Sequence, residues 1–465
     1  MVATKQRKRE MDMINAPLAK NMILFTLPVM AVAILQYLFN TADLIVVGQF
    51  ESQDAVGAVG TTGSLTSLIL SLFIGLSTGT GVCVSVALGA KNEKRVSELV
   101  HTSLILAVVC GVVVAIVGWF VAPACLVLMN TSPVILDDAV SYLRIYFLGA
   151  PFVLVYNFGY SIMRAIGDTK KPLFFILLSG AVNIGLNILL VTVFHLGVAG
   201  VAIATVTAFA LSAVLVVRTL SGYDNACRFS FRKLRFDTSC ALDVARVGIP
   251  AGVQSAIFNI ANTLLQASVN SFGKAATSGC AAANAPESIT YLAMQSFMNT
   301  AALFVGQNYG ARKYARIRKI AFILIGYAAA LGILMSAIAL LLHQPILSLY
   351  LSGAPAETAY GIEKLFSVMP FYFLVGLMEV LSGVLRGVKL SILPTISSIV
   401  CVCGVRLSWI FFVFPLEAFH SVSRLFYCYP LSWGMNVLSL LVILLIVLPR
   451  RCPVEKVVQG ADFAS

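Results

Sequence analysis

The chain has 465 residues, of which 59% are hydrophobic and only 11% charged, with a mean hydropathy of +0.93. Soluble domains carry about 25% charged residues, so a water-soluble globular protein is excluded. A net charge of +12 would suit a nucleic-acid binder, but the basic residues are placed as membrane topology requires, and no nucleic-acid partner is expected.

Apolar runs of about 20 residues are long enough to span a bilayer. Twelve are predicted, at roughly 22–46, 55–80, 98–122, 138–160, 172–194, 197–219, 244–270, 277–303, 319–342, 362–384, 392–415 and 424–448. The segment before the first is polar and basic (Lys5, Arg7, Lys8, Arg9, Lys20), and that first run is too long for a signal-peptide core. The first run contains Pro28 and then Gln36, Asn40 and Asp43 at i, i+4 and i+7, one face of one helix. The second is rich in Gly, Ser and Thr, with Gly57, Gly60, Gly63, Gly75 and Gly79. Small residues of this kind let helices approach closely. The fifth run carries Asn183 and Asn187 on one face and the sixth carries Thr205. The longest polar connection, about 218–246, follows the sixth run. In the second half, Glu287 (eighth run), Glu379 (tenth) and Arg406 (eleventh) are charged residues within apolar stretches. Arg406 is a possible partner for either carboxylate, since a buried charge is usually paired. Arg144 and Lys364 lie near helix ends and are expected to snorkel.

Two patterns organise these runs. First, 27 of the 32 basic residues fall in the N-terminal segment and in every second loop: Lys91/Lys94/Arg95, Arg164/Lys170/Lys171, Arg218 through Arg246, Arg312 through Lys319, Arg386/Lys389 and Arg450/Arg451/Lys456. This is the positive-inside distribution, and it predicts both termini in the cytoplasm and an even number of spans. Second, the halves repeat each other at one constant offset. Pro28, Asn40, Phe50 and Gly57 meet Pro250, Asn262, Phe272 and Gly279, and Arg164 and Pro172 meet Arg386 and Pro394. Parallel repeats of this kind build secondary transporters. The expected fold is all-α: twelve transmembrane helices in two pseudo-symmetric six-helix lobes, 1–220 and 244–465, joined by a linker at 221–243.

No phosphate-binding loop, metalloprotease motif or catalytic carboxylate pair occurs, so neither ATP hydrolysis by that route nor other enzyme chemistry is indicated. The ten cysteines read as core packing and the four histidines (His101, His195, His343, His420) as interfacial residues. Asp43, Asn183, Asn187 and Thr205 are all oxygen donors. As a group they suit a hard monovalent cation or a proton; a purely structural hydrogen-bond network is the alternative. Tyr37, Tyr142, Tyr146, Phe152, Tyr156, Met294 and Phe297 are candidates for a substrate cavity, or else for core and lipid-facing packing.

The stretches TLPVM, NTADLIVVGQF, GAKNEKR, MRAIGDTKKP, NIGLNILL, GVAGVAIATV, FVGQNYGARK and MEVLSGVLRG together resemble the MATE family of multidrug and toxic compound extrusion antiporters, most of all its bacterial DinF-type branch. The resemblance covers the whole chain. It implies two lobes around a cavity that opens to one side at a time, exporting amphipathic, often cationic compounds against inward H⁺ or Na⁺. It implies a cation site at Asp43, Asn183, Asn187 and Thr205, with Pro28, Gln36 and Asn40 as hinge and supporting face. No cofactor, a small-molecule substrate, a lipid environment, a monomeric state and a bacterial cytoplasmic membrane location follow from it. Three positions depart from the family pattern. Asn187 stands where an Asp is common, which makes a proton on Asp43 more attractive than Na⁺. Phe258 stands where some relatives carry a second-lobe Glu, and Val388-Lys389 follows LRG where a further glycine is usual. A flippase for lipid-linked saccharides is the nearest alternative; a passive channel or a membrane enzyme is the more distant one.

Overall fold

A computed structural model describes residues 11–129, 131–351 and 354–453. Lys5, Arg7, Lys8, Arg9 and Lys456 of the basic clusters lie outside the described residues. Within them the protein is all-α, with twelve long helical segments. These are α1 (Leu18–Phe50), α2 (Gln53–Gly89), α3 (Glu93–Leu128), α4 (Pro133–Leu148 continuing as Ala150–Ile166), α5 (Lys170–Val193), α6 (Gly197–Ser221), α7 (Thr238–Asn270), α8 (Lys274–Gly310), α9 (Tyr314–Leu341), α10 (Pro355–Gly387), α11 (Ile392–Val413) and α12 (Val422–Arg451). They form the two expected six-helix lobes, α1–α6 and α7–α12.

Nine are by themselves long and apolar enough to cross a bilayer, and α4, bent by 47°, makes a tenth. The other two, α7 and α8, are long enough but carry amides. Asn259, Asn262, Gln266 and Asn270 recur along one side of α7, and Asn284, Gln295 and Asn299 along α8. Amides facing lipid are costly, so these helices must turn that side toward protein or water. Asn259 Nδ2 donates to Ser67 Oγ of α2 at 3.5 Å, so this side of α7 faces the opposite lobe.

Helices α2 and α8, at 37 residues each, are about 55 Å long. That exceeds the thickness of a bilayer core, and their C-terminal turns lie at the face that carries both described chain ends. The lobes pack most tightly in the half nearest that face. Gly75 and Gly79 of α2 lie on Gly248 and Gly252 of α7, and a Cβ on Gly252 would sit 2.6 Å from the Leu72 Cα. Nearby, Thr26 (α1) and Thr300 (α8) share a hydrogen bond of 2.8 Å, and Phe25 meets Phe304 edge to face at 5.4 Å.

Four helices end in the same reverse turn at this face: α2, α4, α8 and α10. In each the sixth residue's N–H reaches back to the first carbonyl: Asn92 to Ala87, Asp168 to Met163, Lys313 to Asn308 and Leu390 to Leu385, all at 2.9–3.1 Å. This closure needs a left-handed residue just past the helix. Gly167 supplies it with φ +91°, but Lys91, Arg312 and Lys389 adopt φ 55–62°. Their positive charges stand at helix C-termini, where the dipole favours them.

The connection between the lobes is docked, not loose. Asp237 caps α7 by accepting from the Cys240 N–H at 2.7 Å. The Ser239 hydroxyl, the same N–H and the nearby Arg95 hold the Asp237 carboxyl down at about 2. Arg95 also reaches Asp243 at 3.0 Å. His101 departs from its expected interfacial role. It is 2% exposed, with Nδ1 at 2.7 Å from the Ser97 carbonyl and Nε2 accepting the Ser230 N–H at 3.2 Å. The imidazole, like Thr102 beside it, satisfies the linker backbone there.

Candidate ion site and transport cavity

Helix α1 brings Gln36, Phe39, Asn40 and Asp43 to one side of a partly open cavity of about 180 Å³ lined by helices of the first lobe. Helix α5 can approach because Gly180 faces Phe39, whose ring would overlap any Cβ there. One turn beyond Gly180 stands Asn183, and another turn on, Asn187. There the α-helix widens into a π turn, Leu189–Val193, a distortion that recurs at functional sites.

Asp43 is 5% exposed and lies within hydrogen-bond reach of two donors. Asn187 Nδ2 donates to Oδ1 at 2.5 Å. The Thr205 hydroxyl lies 3.1 Å from Oδ2 and 3.0 Å from the Val201 carbonyl, and its single proton serves one or the other. Asn183 Nδ2 donates to Thr205 Oγ1 at 3.4 Å. The carbonyl oxygens of Asn183 and Asn187 are enclosed with no donor. The four residues named from spacing therefore meet at one point, although they come from three helices. A depth ruler drawn from the inner helix ends places Asp43 apart from the others. Measured from the outer ends, Asp43 is seven residues before Phe50, Asn187 six before Val193 and Thr205 eight after Gly197. Pro28 lies inside α1, which continues through it as one helix.

The cavity wall differs in part from expectation. Gln36, Asn40 and Tyr146 line it, and so do Asn157, Ser179, Phe209 and Ser212, which spacing on α1 and α5 alone did not mark. Tyr142 stacks on Tyr146 at 6.1 Å, behind the wall. Tyr156 and Met294 are fully enclosed in the core and Phe297 nearly so. Large side chains on the inner faces of α4 and α8 are consumed by helix packing. Tyr37 is half-buried on α1, and Phe152 is exposed on the outside of α4.

In the second lobe the expected pairing of Arg406 with a carboxylate does not occur. Glu287 pairs with Lys364 at 3.0 Å. Lys364 does not snorkel: it is 4% exposed and also bonds Asn284 and, at 3.5 Å, the Cys280 carbonyl. Lys364 precedes the 3-10 turn that interrupts α10 at Met369–Phe371 and faces α8, which offers it three acceptors. Arg406 instead donates to Asn262 Oδ1 at 2.7 Å and covers the Tyr429 ring at 4.0 Å. Glu379 is buried with no hydrogen bond or ion pair among the described residues. Its counterpart in the sequence repeat is Asn157, so one lobe carries a carboxylate where the other carries an amide. Arg386, on the same helix, is held by Gln254 at 2.9 Å.

A lobed bundle of twelve helices, duplicated in sequence, with a cavity that opens on buried polar side chains of the first lobe, is the architecture of a secondary transporter. Solved structures agree: an outward-facing multidrug resistance MATE family transporter superposes with a TM-score of 0.86, 18% identity, and coverage of 94% of this chain and 98% of that one. A superfamily transporter from Pyrococcus furiosus, described as having a binding pocket of reverse polarity, gives 0.83 at 19% identity, over 94% and 96%. Residues 28–189 and 250–412 each match the MatE family, and the chain belongs to it. The two matches begin at Pro28 and Pro250, the first matched pair of the internal repeat. A probable multidrug resistance protein of Bacillus subtilis, YoeA, is 27% identical over 90% of this chain and 92% of its own. An FAD transporter of Shewanella oneidensis is 23% identical over 73% and 75%.

Proposed function

We propose that the protein is a cation-coupled antiporter that exports amphipathic organic compounds from the bacterial cytoplasm by alternating access, with both termini cytoplasmic. The lobes are 1–220 and 244–465, and Asp43 is the coupling group. The observation that carries this reading is the Asp43 cluster: one buried carboxylate, held by neutral donors, beside two enclosed carbonyl oxygens without donors. The proton is the favoured ion, because Asn187 supplies an amide where a second carboxylate would serve Na⁺. The ionised carboxylate accepts from Asn187 and Thr205. Once protonated it needs an acceptor, and a half-turn of the Asn187 amide presents its Oδ1. Loading thus changes the bonds that tie α1 to α5 and α6. A change of this kind drives transport only if the ion binds one conformation better than the other. Relatives described as multidrug exporters and as an FAD transporter support a small organic substrate.

The test is efflux of a fluorescent cationic dye from proteoliposomes under separate pH and Na⁺ gradients, wild type beside Asp43→Asn. We expect efflux driven by the pH gradient and lost in the variant. Gradient-driven efflux that persists in Asp43→Asn would remove Asp43 from the mechanism.

A further inference from the structure

Arg406 carries a charge that the protein leaves largely unanswered. It lies on α11 between two π turns, Ile399–Gly404 and Trp409–Val413, and is 4% exposed. A guanidinium has five N–H donors and keeps its proton in proteins. Here Nη1 serves Asn262, Nε is enclosed with no acceptor, and Nη2 donates to nothing among the described residues. The Tyr429 ring covers one face. No carboxylate among the described residues pairs with Arg406: Glu287, in α8, is held by Lys364, and Glu379, in α10, makes no ion pair. In a membrane interior an ionisable group is ordinarily paired or functional.

The approach to Arg406 is also defined. Asn262 is exposed in front of the buried guanidinium. Asn259, one turn earlier, bonds the opposite lobe, so Asn262 looks into the cleft between the lobes. Its repeat partner is Asn40, which lines the first-lobe cavity one turn from Asp43. The two lobes thus present the same amide, backed by opposite charges. Behind Asn262, Tyr429 meets Trp433 at 5.3 Å, and Trp433 meets Tyr372 at 5.2 Å.

The geometry points to an oxyanion subsite in the second lobe, where Arg406, screened by Asn262 and floored by Tyr429, takes the carboxylate or phosphate of an aromatic substrate. The incoming group displaces the Asn262 amide from Nη1 and takes Nη1 together with the unused Nη2 as a fork. This deepens the exporter reading and rests on it: the exported compounds then include acidic aromatics.

Three pyrene probes that differ only at the end of a butyl chain (carboxylate, phosphate monoester, hydroxyl) would be titrated by fluorescence anisotropy into the purified full chain in nanodiscs. Charge-assisted hydrogen bonds from a buried fork should favour an anionic probe over the neutral one by about tenfold or more. The ratio of the two anionic probes tells carboxylate from phosphate. Asn262→Asp supplies Arg406 with its own carboxylate and should bring the anionic-to-neutral ratio to about one without lowering the melting temperature; Arg406→Gln should do the same to the ratio. An anionic-to-neutral ratio near one in wild type, or a ratio that survives Asn262→Asp, overturns the subsite. That failure is separable from failure of the exporter reading, which is measured by gradient-driven dye efflux in the same preparation.

Discussion

In the proposed mechanism Asn187 decides which ion the first lobe can hold. Its amide nitrogen is 2.5 Å from Asp43 Oδ1, so Asn187→Asp would bring two carboxylates into contact. Like charges that close do not both stay ionised unless a cation lies between them. We expect the variant to acquire a Na⁺-specific rise in melting temperature, with K⁺ as control, that wild type lacks. Equal Na⁺ responses in the two proteins would show that wild type already holds Na⁺ and would count against the proton. At this scale the first-lobe cluster was legible in the sequence, because polar residues recur at helical spacing on α1 and α5 and the resemblance to the family groups Thr205 of α6 with them. The second lobe was not. Glu287 and Lys364 stand on different helices, as do Asn262 and Arg406, and nothing in spacing says which cation faces which carboxylate. Nearness to a helix end, read from sequence, also gave no warning that Lys364 would be buried against α8.

At the scale of elements, helix number and order followed from hydropathy, yet α7 and α8 show why hydropathy alone was incomplete: their amides bond the opposite lobe at Asn259 and buried charges of their own lobe at Asn262 and Asn284, and lower the apolar signal of both helices. The Val388-Lys389 departure, without meaning in the sequence, acquires one in the turn after α10. Lys389 takes φ 62° where its repeat partner Gly167 takes φ 91° in the matching turn. A left-handed backbone costs a residue with a Cβ roughly 1–2 kcal/mol. Among the described residues the only ion pair of Lys389 is with Asp243 at 3.6 Å, both side chains about one-third exposed, and surface pairs contribute about 0–1 kcal/mol. Relief of strain therefore outweighs the lost pair. Lys389→Gly is expected to stabilise the protein by up to about 1 kcal/mol, read as a higher melting temperature in detergent. A lower melting temperature would mean that the charge at the helix end matters more than the backbone.

For the whole molecule, alternating access requires that the lobes part where they now touch. The half nearest the chain ends is sealed by glycine-on-glycine packing of α2 on α7 and by the Thr26–Thr300 contact between α1 and α8. That contact is suited to a covalent test. Both threonines are almost fully enclosed, they belong to opposite lobes, and their hydroxyl oxygens are 2.8 Å apart, close to what a disulfide between Cys side chains spans. Thr26 is also two residues from Pro28, the proposed hinge. Thr26→Cys with Thr300→Cys, oxidised in proteoliposomes, should lose gradient-driven efflux and regain it on reduction, while each single variant keeps it. The ten native cysteines make a background lacking them the proper host. If the bridge forms, as shown by mass spectrometry of the joined peptides, and efflux continues, then the lobes do not separate at α1 and α8. Access would then have to change within the first lobe, by movement of α1 against α5 and α6 around Asp43. The cross-link thus distinguishes a rocking of whole lobes from a bending of one helix.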